Sequence, residues 1–118
     1  MAYADGFVIV VSKKKIAEYK AVARKAGKVW RDHGALDYKE CVGEDLKSKF
    51  GVSFPKLAKT KATETVVFSW ILYKNRKHRD AVNAKVMADP RMAKMMKEPM
   101  PFDMKRFSYG GFEVIVDA

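Results

Sequence analysis

The chain has 118 residues, of which 48% are hydrophobic and 32% charged, with one cysteine and a formal net charge of +10. That length suits one domain over residues 1–118, burying roughly 65% of the surface its unfolded form exposes, and the hydrophobic content excludes a disordered chain. No apolar run reaches the roughly 20 residues needed to span a bilayer, and a lone Cys41 excludes an internal disulfide and fits a reducing cytoplasm.

The opening, MAYADGFVIVV, has no basic stretch ahead of its apolar run and reads as a strand, not a secretory signal. Gly6 to Val11 is nearly all apolar, which suits a central strand covered on both faces. Ser12 is placed to cap a helix running to about His33, with Lys13, Lys14 and Lys15 in its first turn, against the helix dipole. Such a turn is either an anion site or solvated surface, and the surface reading is favoured. Ile16, Tyr19, Val22, Ala23, Ala26, Val29 and Trp30 form one apolar stripe. Gly27 weakens the helix interior slightly, and Gly34 stops it just past the end, where His33 as a cation suits the dipole.

Ala35 to Val42 alternates as a strand: Leu36, Tyr38, Glu40 and Val42 share one face, and Asp37, Lys39 and Cys41 the other. Its charge suggests an edge position. Gly43 to Thr63 breaks the pattern and is long for a connection. It reads as a flap over a cleft or as a docked loop completing the core or a subunit contact. Glu64 to Tyr73, ETVVFSWILY, is the longest β-branched and aromatic run, with Val66, Phe68, Trp70 and Leu72 on one face and Val67, Ser69, Ile71 and Tyr73 on the other. Asn75 then caps a helix, Asp89-Pro90 stops it and starts another, and Lys105 to Asp117 is the last strand, where Gly110-Gly111 predicts a bulge or a close backbone approach.

The order β-α-β-β-α-β is the ferredoxin-like plan, an α+β fold with a four-stranded antiparallel sheet and its first and third strands in the middle. Both helices then cover one face. The other face calls for a second copy of the chain, two sheets meeting as a dimeric α+β barrel.

The strings YADGFV, RKAGKVWRDHGALDYKECVGED, ETVVFSW, HRDAVNAKVMADPRM, and PFD followed by YGGFE resemble the YbaA-like bacterial family of unknown function. The likeness covers essentially the whole chain. It implies membership of the dimeric α+β barrel superfamily, a homodimer, and a cleft between sheet and helices in each protomer, without an established activity. Haem-degrading monooxygenases of that superfamily combine a strand Trp and a helix His with an Asn on the first strand. Here that strand offers Asp5, Gly6 and Phe7, so the haem activity is not carried over.

The best candidate cleft is Trp70, His78 and Arg79, with Tyr38, Glu40, Arg106 and Tyr109 as neighbours, where an imidazole could exchange protons near neutral pH. Core packing for Trp70 and a solvated helix start for His78 compete with that reading. The methionines Met87, Met92, Met95, Met96, Met100 and Met104 either line an adaptable pocket or seal the core, and Phe102-Asp103 either presents a carboxylate at the cleft mouth or serves its turn. Two histidines and one cysteine give no metal-ligand spacing, and nothing names a cofactor. The sequence thus points to a cytoplasmic homodimer that binds or transforms a small molecule. The alternative is a nucleic-acid or protein interaction module built on the basic surface. Against it, the 24 basic residues are dispersed among acids, and the third strand lacks the basic-Gly-aromatic string of RNA-recognition modules.

Overall fold

A computed structural model describes residues 1–118. The most apolar run becomes one of the two central strands. β3 (Glu64–Tyr73) lies between β1 (Tyr3–Ser12) and β2 (Asp37–Val42), and β4 (Ser108–Glu113) lines the far side of β1. The sheet order is therefore β2-β3-β1-β4, with every neighbouring pair antiparallel and the first and third strands central. β1 and β3 are in register along their full lengths, from Tyr3 opposite Tyr73 to Ser12 opposite Glu64.

α1 (Ile16–Asp32), α3 (Arg76–Met87) and α4 (Pro90–Met96) pack on one face of this sheet. Strand alternation decides which side chains meet them. Ile9 and Val11 of β1 and Val67 of β3 pack with Tyr19 and Ala23 of α1. Ile71 and Tyr73 join Val29, Ala35, Val82, Val86 and Met92 in a second cluster. Asn75 caps α3 by accepting from the His78 N–H at 2.8 Å, and Asp89 caps α4 by accepting from the Arg91 N–H at 2.8 Å. Gly34, at φ +108°, ends α1 in a conformation that a side chain resists. No helix is long and apolar enough to cross a membrane.

One expectation is corrected, and two open alternatives are decided. Ser12 makes no capping hydrogen bond, because Lys13–Lys15 form a separate 3-10 turn whose first N–H donates to the Thr63 carbonyl at 2.9 Å. Gly110-Gly111 makes no bulge: the register continues through Gly6 opposite Gly110 and Asp5 opposite Gly111. The glycines serve close approach instead, since a Cβ on Gly111 would overlap the Tyr3 hydroxyl. The Gly43–Thr63 segment is no flap over a helix-side cleft. It forms a short helix, α2 (Phe54–Ala58), against β1 and β3 on the opposite face, with the Phe54 ring edge-on to Phe68 at 6.3 Å. α2 shelters the Val10–Val66 end of that face. Phe68 stays 43% exposed and Phe112 61% exposed, with Trp70 and Leu72 half-buried beside them.

Candidate functional site

The stripe of α1 does not fill the space above the sheet. Ala23 and Ala26 are small, and beneath them Phe7, Ile9, Ser69 and Ile71 form a shallow floor. A chamber of about 180 Å³ remains, closed by Met92 and Met95 of α4 and by Met100, Phe102 and Phe107 ahead of β4. Of its 16 lining residues 14 are hydrophobic; Glu40 and Ser69 are the polar ones. Small-molecule sites share this character, an apolar body with one or two placed polar groups.

Glu40 is held by two phenols. One carboxylate oxygen accepts from the Tyr19 hydroxyl at 2.7 Å and the other from the Tyr38 hydroxyl at 2.6 Å. Burial, and then the Glu40 charge, push both phenols well above the ordinary tyrosine range. Both therefore remain protonated donors at any physiological pH, and neither is a ready phenolate base. The trio stands between the chamber and an outer recess of about 470 Å³, which shares Tyr19, Ala23, Tyr38 and Glu40 and adds Lys20, Arg24 and Gly27. Gly27 lets α1 approach β2: a Cβ there would lie 2.8 Å from the Tyr38 ring. Trp30, whose ring lies 6.1 Å from that of Tyr38, flanks the same tyrosine.

The residues singled out from the sequence do not form one cluster. Tyr38 and Glu40 line the chamber. Tyr109 stands at its β4 rim, exposed and stacked between Phe7 at 6.0 Å and Phe107 at 5.3 Å. Trp70 points to the other face, because it alternates with the helix-facing Ser69 and Ile71; its ring lies 5.8 Å from that of Phe68. His78 folds back on its own helix start, its Nδ1 accepting from the Lys74 N–H at 3.0 Å. Arg79 reaches β1, donating from Nη2 to the Tyr3 hydroxyl at 3.1 Å with its guanidinium 5.0 Å from that ring's centre. Arg106 grips Glu64 through both carboxylate oxygens, at 2.7 and 2.9 Å, and donates to the Lys59 carbonyl. Met92, Met95 and Met100 line the chamber, whereas Met87, Met96 and Met104 are exposed. Asp103 serves its turn by accepting from the Lys105 N–H at 2.9 Å, while its neighbour Phe102 faces the chamber.

Residues 2–104 match the family model described as "Protein of unknown function (DUF1428)". The chain belongs to this family. The DUF1428 protein is 45% identical over 117 residues to the uncharacterized protein YbaA of Escherichia coli K12, covering 99% of each. Among solved structures it is similar to a candidate antibiotic biosynthesis monooxygenase of Nitrosomonas europaea, at a TM-score of 0.61 and 12% identity over 97% of this chain and 90% of that one. It is also similar to a dimeric ferredoxin-like protein from an uncultured marine organism, at a TM-score of 0.56 and 12% identity over the whole of both. At identities this low the structural likeness shows the α+β ferredoxin-like fold alone.

Two features of the DUF1428 protein escaped the sequence reading. Tyr19 belongs to the site, and the clue was a tyrosine in the apolar stripe of a helix, whose hydroxyl must find a partner when buried. Asp5 is the other. It is 6% exposed on the helix face and 3.8 Å from the Arg79 Nε, a buried N–H that no acceptor satisfies. Beside it the Tyr73 hydroxyl and the Trp30 Nε1 both donate to the Asn83 side-chain oxygen, at 3.2 and 3.0 Å. This polar cluster ties β1 and β3 to α1 and α3, and of its members only Trp30 also lines the chamber. No three His, Cys, Asp or Glu side chains come together as a metal-ligand set.

Proposed function

We propose that this DUF1428 protein is a cytoplasmic homodimer in which each protomer holds a small, mostly apolar molecule between α1 and the sheet. The carrying observation is the chamber itself: about 180 Å³ with 14 of 16 lining residues hydrophobic, and Glu40 held at one wall as a fixed carboxylate. Whether the molecule is only held or also transformed turns on chemistry beside Glu40, whose two oxygens already accept the tyrosine hydroxyls. Each phenol oxygen can still accept a hydrogen bond from a ligand donor. The fold shared with a candidate monooxygenase supports a small-molecule role without naming a reaction.

The face opposite the chamber supports the homodimer. Phe68, Trp70, Leu72 and Phe112 form an apolar patch beside α2, of the kind that marks an interface. A solved neighbour of the same fold is described as dimeric. The free, exposed Cys41 is in keeping with a reducing cytoplasm.

Native mass spectrometry of the protein isolated from cells tests the chamber. A bound small molecule is expected, and Ala26→Leu, which fills part of the space, should displace it. An apo protein that binds no apolar probe, with Ala26→Leu gaining stability, would make the chamber a packing defect.

One observation favours a second reading. Phe68 and Phe112 are exposed on an open sheet face, as base-stacking aromatics are in RNA-binding sheets. The charge on that face opposes it: Lys39 is paired with Asp37, and the other charged strand residue there is Glu64. Binding of single-stranded RNA by a monomer, weakening with salt and lost in Phe68→Ala, would establish it over the dimer.

A further inference from the structure

α1 has two flanks around the chamber. At about 100° per residue, Ile16, Lys20, Arg24 and Gly27 fall on the flank toward β2, and Val22, Lys25 and Val29 on the flank toward α4. The β2 flank is closed by the hydrogen-bonded trio of Tyr19, Glu40 and Tyr38. On the α4 flank a recess of about 330 Å³ opens between the helices. Four cations line it, Lys25 and Lys28 of α1 and Arg91 and Lys94 of α4, against one acid, Glu98.

These cations are not equally engaged. Arg91 is committed to Asp32 and Asp89, at 2.8 Å each, and Lys28 to Asp32 at 3.5 Å. Lys25 and Lys94 have no carboxylate partner; they face each other's helices across the recess with only Glu98 near enough to share its lining. The recess and the chamber share Val22, Met95 and Met100. Two of these three are unbranched thioethers that change rotamer at little cost, and none holds the wall by a hydrogen bond. This wall opens more easily than the one at Glu40.

We infer that the ligand is an amphipathic anion, entering between Met95 and Met100, with its apolar body in the chamber and its carboxylate or phosphate head on Lys25 and Lys94. The inference rests on the proposed chamber and adds the ligand's class and orientation. Glu40 is the one charged residue lining the chamber itself, with Lys20 and Arg24 beyond it in the outer recess, so an anionic head is repelled from that wall of the chamber and attracted to the cations of the open flank. Size follows from the volume. A cavity of about 150 Å³ accepts benzene, so about 180 Å³ suits a substituted ring or a chain of roughly six to eight carbons.

Calorimetric titration of the full chain with octanoate, octyl phosphate, 1-octanol and octylamine tests this. Both anions, or one of them, should bind at least about ten-fold tighter than octanol, with octylamine weakest. A preference for octanoate or for octyl phosphate identifies the head group, and either supports the inference. The double variant Lys25→Glu/Lys94→Glu should abolish the gap between anion and alcohol while octanol binds as before. Lys20→Glu/Arg24→Glu, reversing charge on the other flank, should leave the gap intact. Octanol binding as tightly as the anions, or a gap abolished by Lys20→Glu/Arg24→Glu alone, overturns the inference and leaves the chamber standing. Binding of none of the four overturns both.

Discussion

Gly27 of α1 and Tyr38 of β2 are in contact without a side chain between them, and that contact aims the Tyr38 hydroxyl at Glu40. A methyl group on Gly27 would lie 2.8 Å from two carbons of the Tyr38 ring. The ring is also flanked by Trp30, so it has little freedom to yield. Ala is worth about 1 kcal/mol over Gly inside a helix. Overpacking costs about 1–3 kcal/mol. Gly27→Ala should therefore lower stability by about 1 kcal/mol, read from the urea midpoint, and weaken any chamber ligand as Tyr38 leaves Glu40. A raised midpoint would mean that Tyr38 moves aside freely and that Glu40 needs only Tyr19.

The two phenols on Glu40 predict a coupled response. Gln at position 40 keeps one acceptor oxygen and turns an N–H₂ toward a second donor. Glu40→Gln should destabilise by about 1–3 kcal/mol, and Tyr19→Phe added to it should cost much less than Tyr19→Phe alone. The same trio sets an alkaline limit. Tyr19 and Tyr38 hold their protons above the ordinary value of 10.0, through burial first and the Glu40 charge second. Their contribution is complete below pH 10 and falls above it, as the unfolded chain releases protons that the folded chain keeps. Glu40→Gln removes the second cause, so its decline should level off at a lower pH than the parent's. Declines that level off together would show that burial alone holds both protons.

How much of this was legible differs between the sheet and the site. The topology was readable because β1 and β3 are the two nearly continuous apolar strands, and only central strands need that on both faces. The same feature hid the site. When both faces of β3 are apolar, alternation separates Trp70 from Ile71 without saying which of them meets the helices, and the sequence reading put Trp70 in the cleft. Glu40 was accessible, a charge on the apolar face of Leu36, Tyr38 and Val42. Its second partner, Tyr19, lies 21 positions earlier, and only the right-handed crossover of α1 brings them together. Gly27 looked like a weak helix residue because its role is a contact across elements, which propensity does not report.

An acid limit follows from Glu64 and Arg106. The guanidinium holds the Glu64 carboxyl down to about 2, from an ordinary value of 4.5, with help from the Lys61 N–H. Asp89 is also depressed, by Arg91 first and His33 second. A depressed carboxyl stabilises the fold above its unfolded value and loses that contribution as pH falls through the folded one. Thermal stability should thus fall progressively as pH drops from 4.5 to about 2. In Arg106→Met, Glu64 returns toward its ordinary value and the slope over that interval should become shallower. An unchanged slope would assign the acid sensitivity to Asp89 and its partners.

The proposed dimer depends on the patch that α2 leaves uncovered. Phe68 lies on the central strand β3 and Phe112 on the edge strand β4, both on the face away from α1. A second sheet laid on that face would bury both rings, and interface anchors of this kind are worth about 2 kcal/mol or more when truncated. Phe68→Asp places an unpaired carboxylate where the partner's apolar surface would press, so association should weaken by at least about a hundred-fold. Sedimentation equilibrium should show a dimer for the parent chain and a monomer for Phe68→Asp, with circular dichroism unchanged because the ring is already 43% exposed in the protomer. Cys41→Asp, on edge strand β2 opposite Phe68, provides the graded control. A centred interface would feel it less than Phe68→Asp, whereas equal effects would shift the contact toward the β2 edge. A parent chain that sediments as a monomer with both rings in water would remove the dimer and return the open sheet to the nucleic-acid reading.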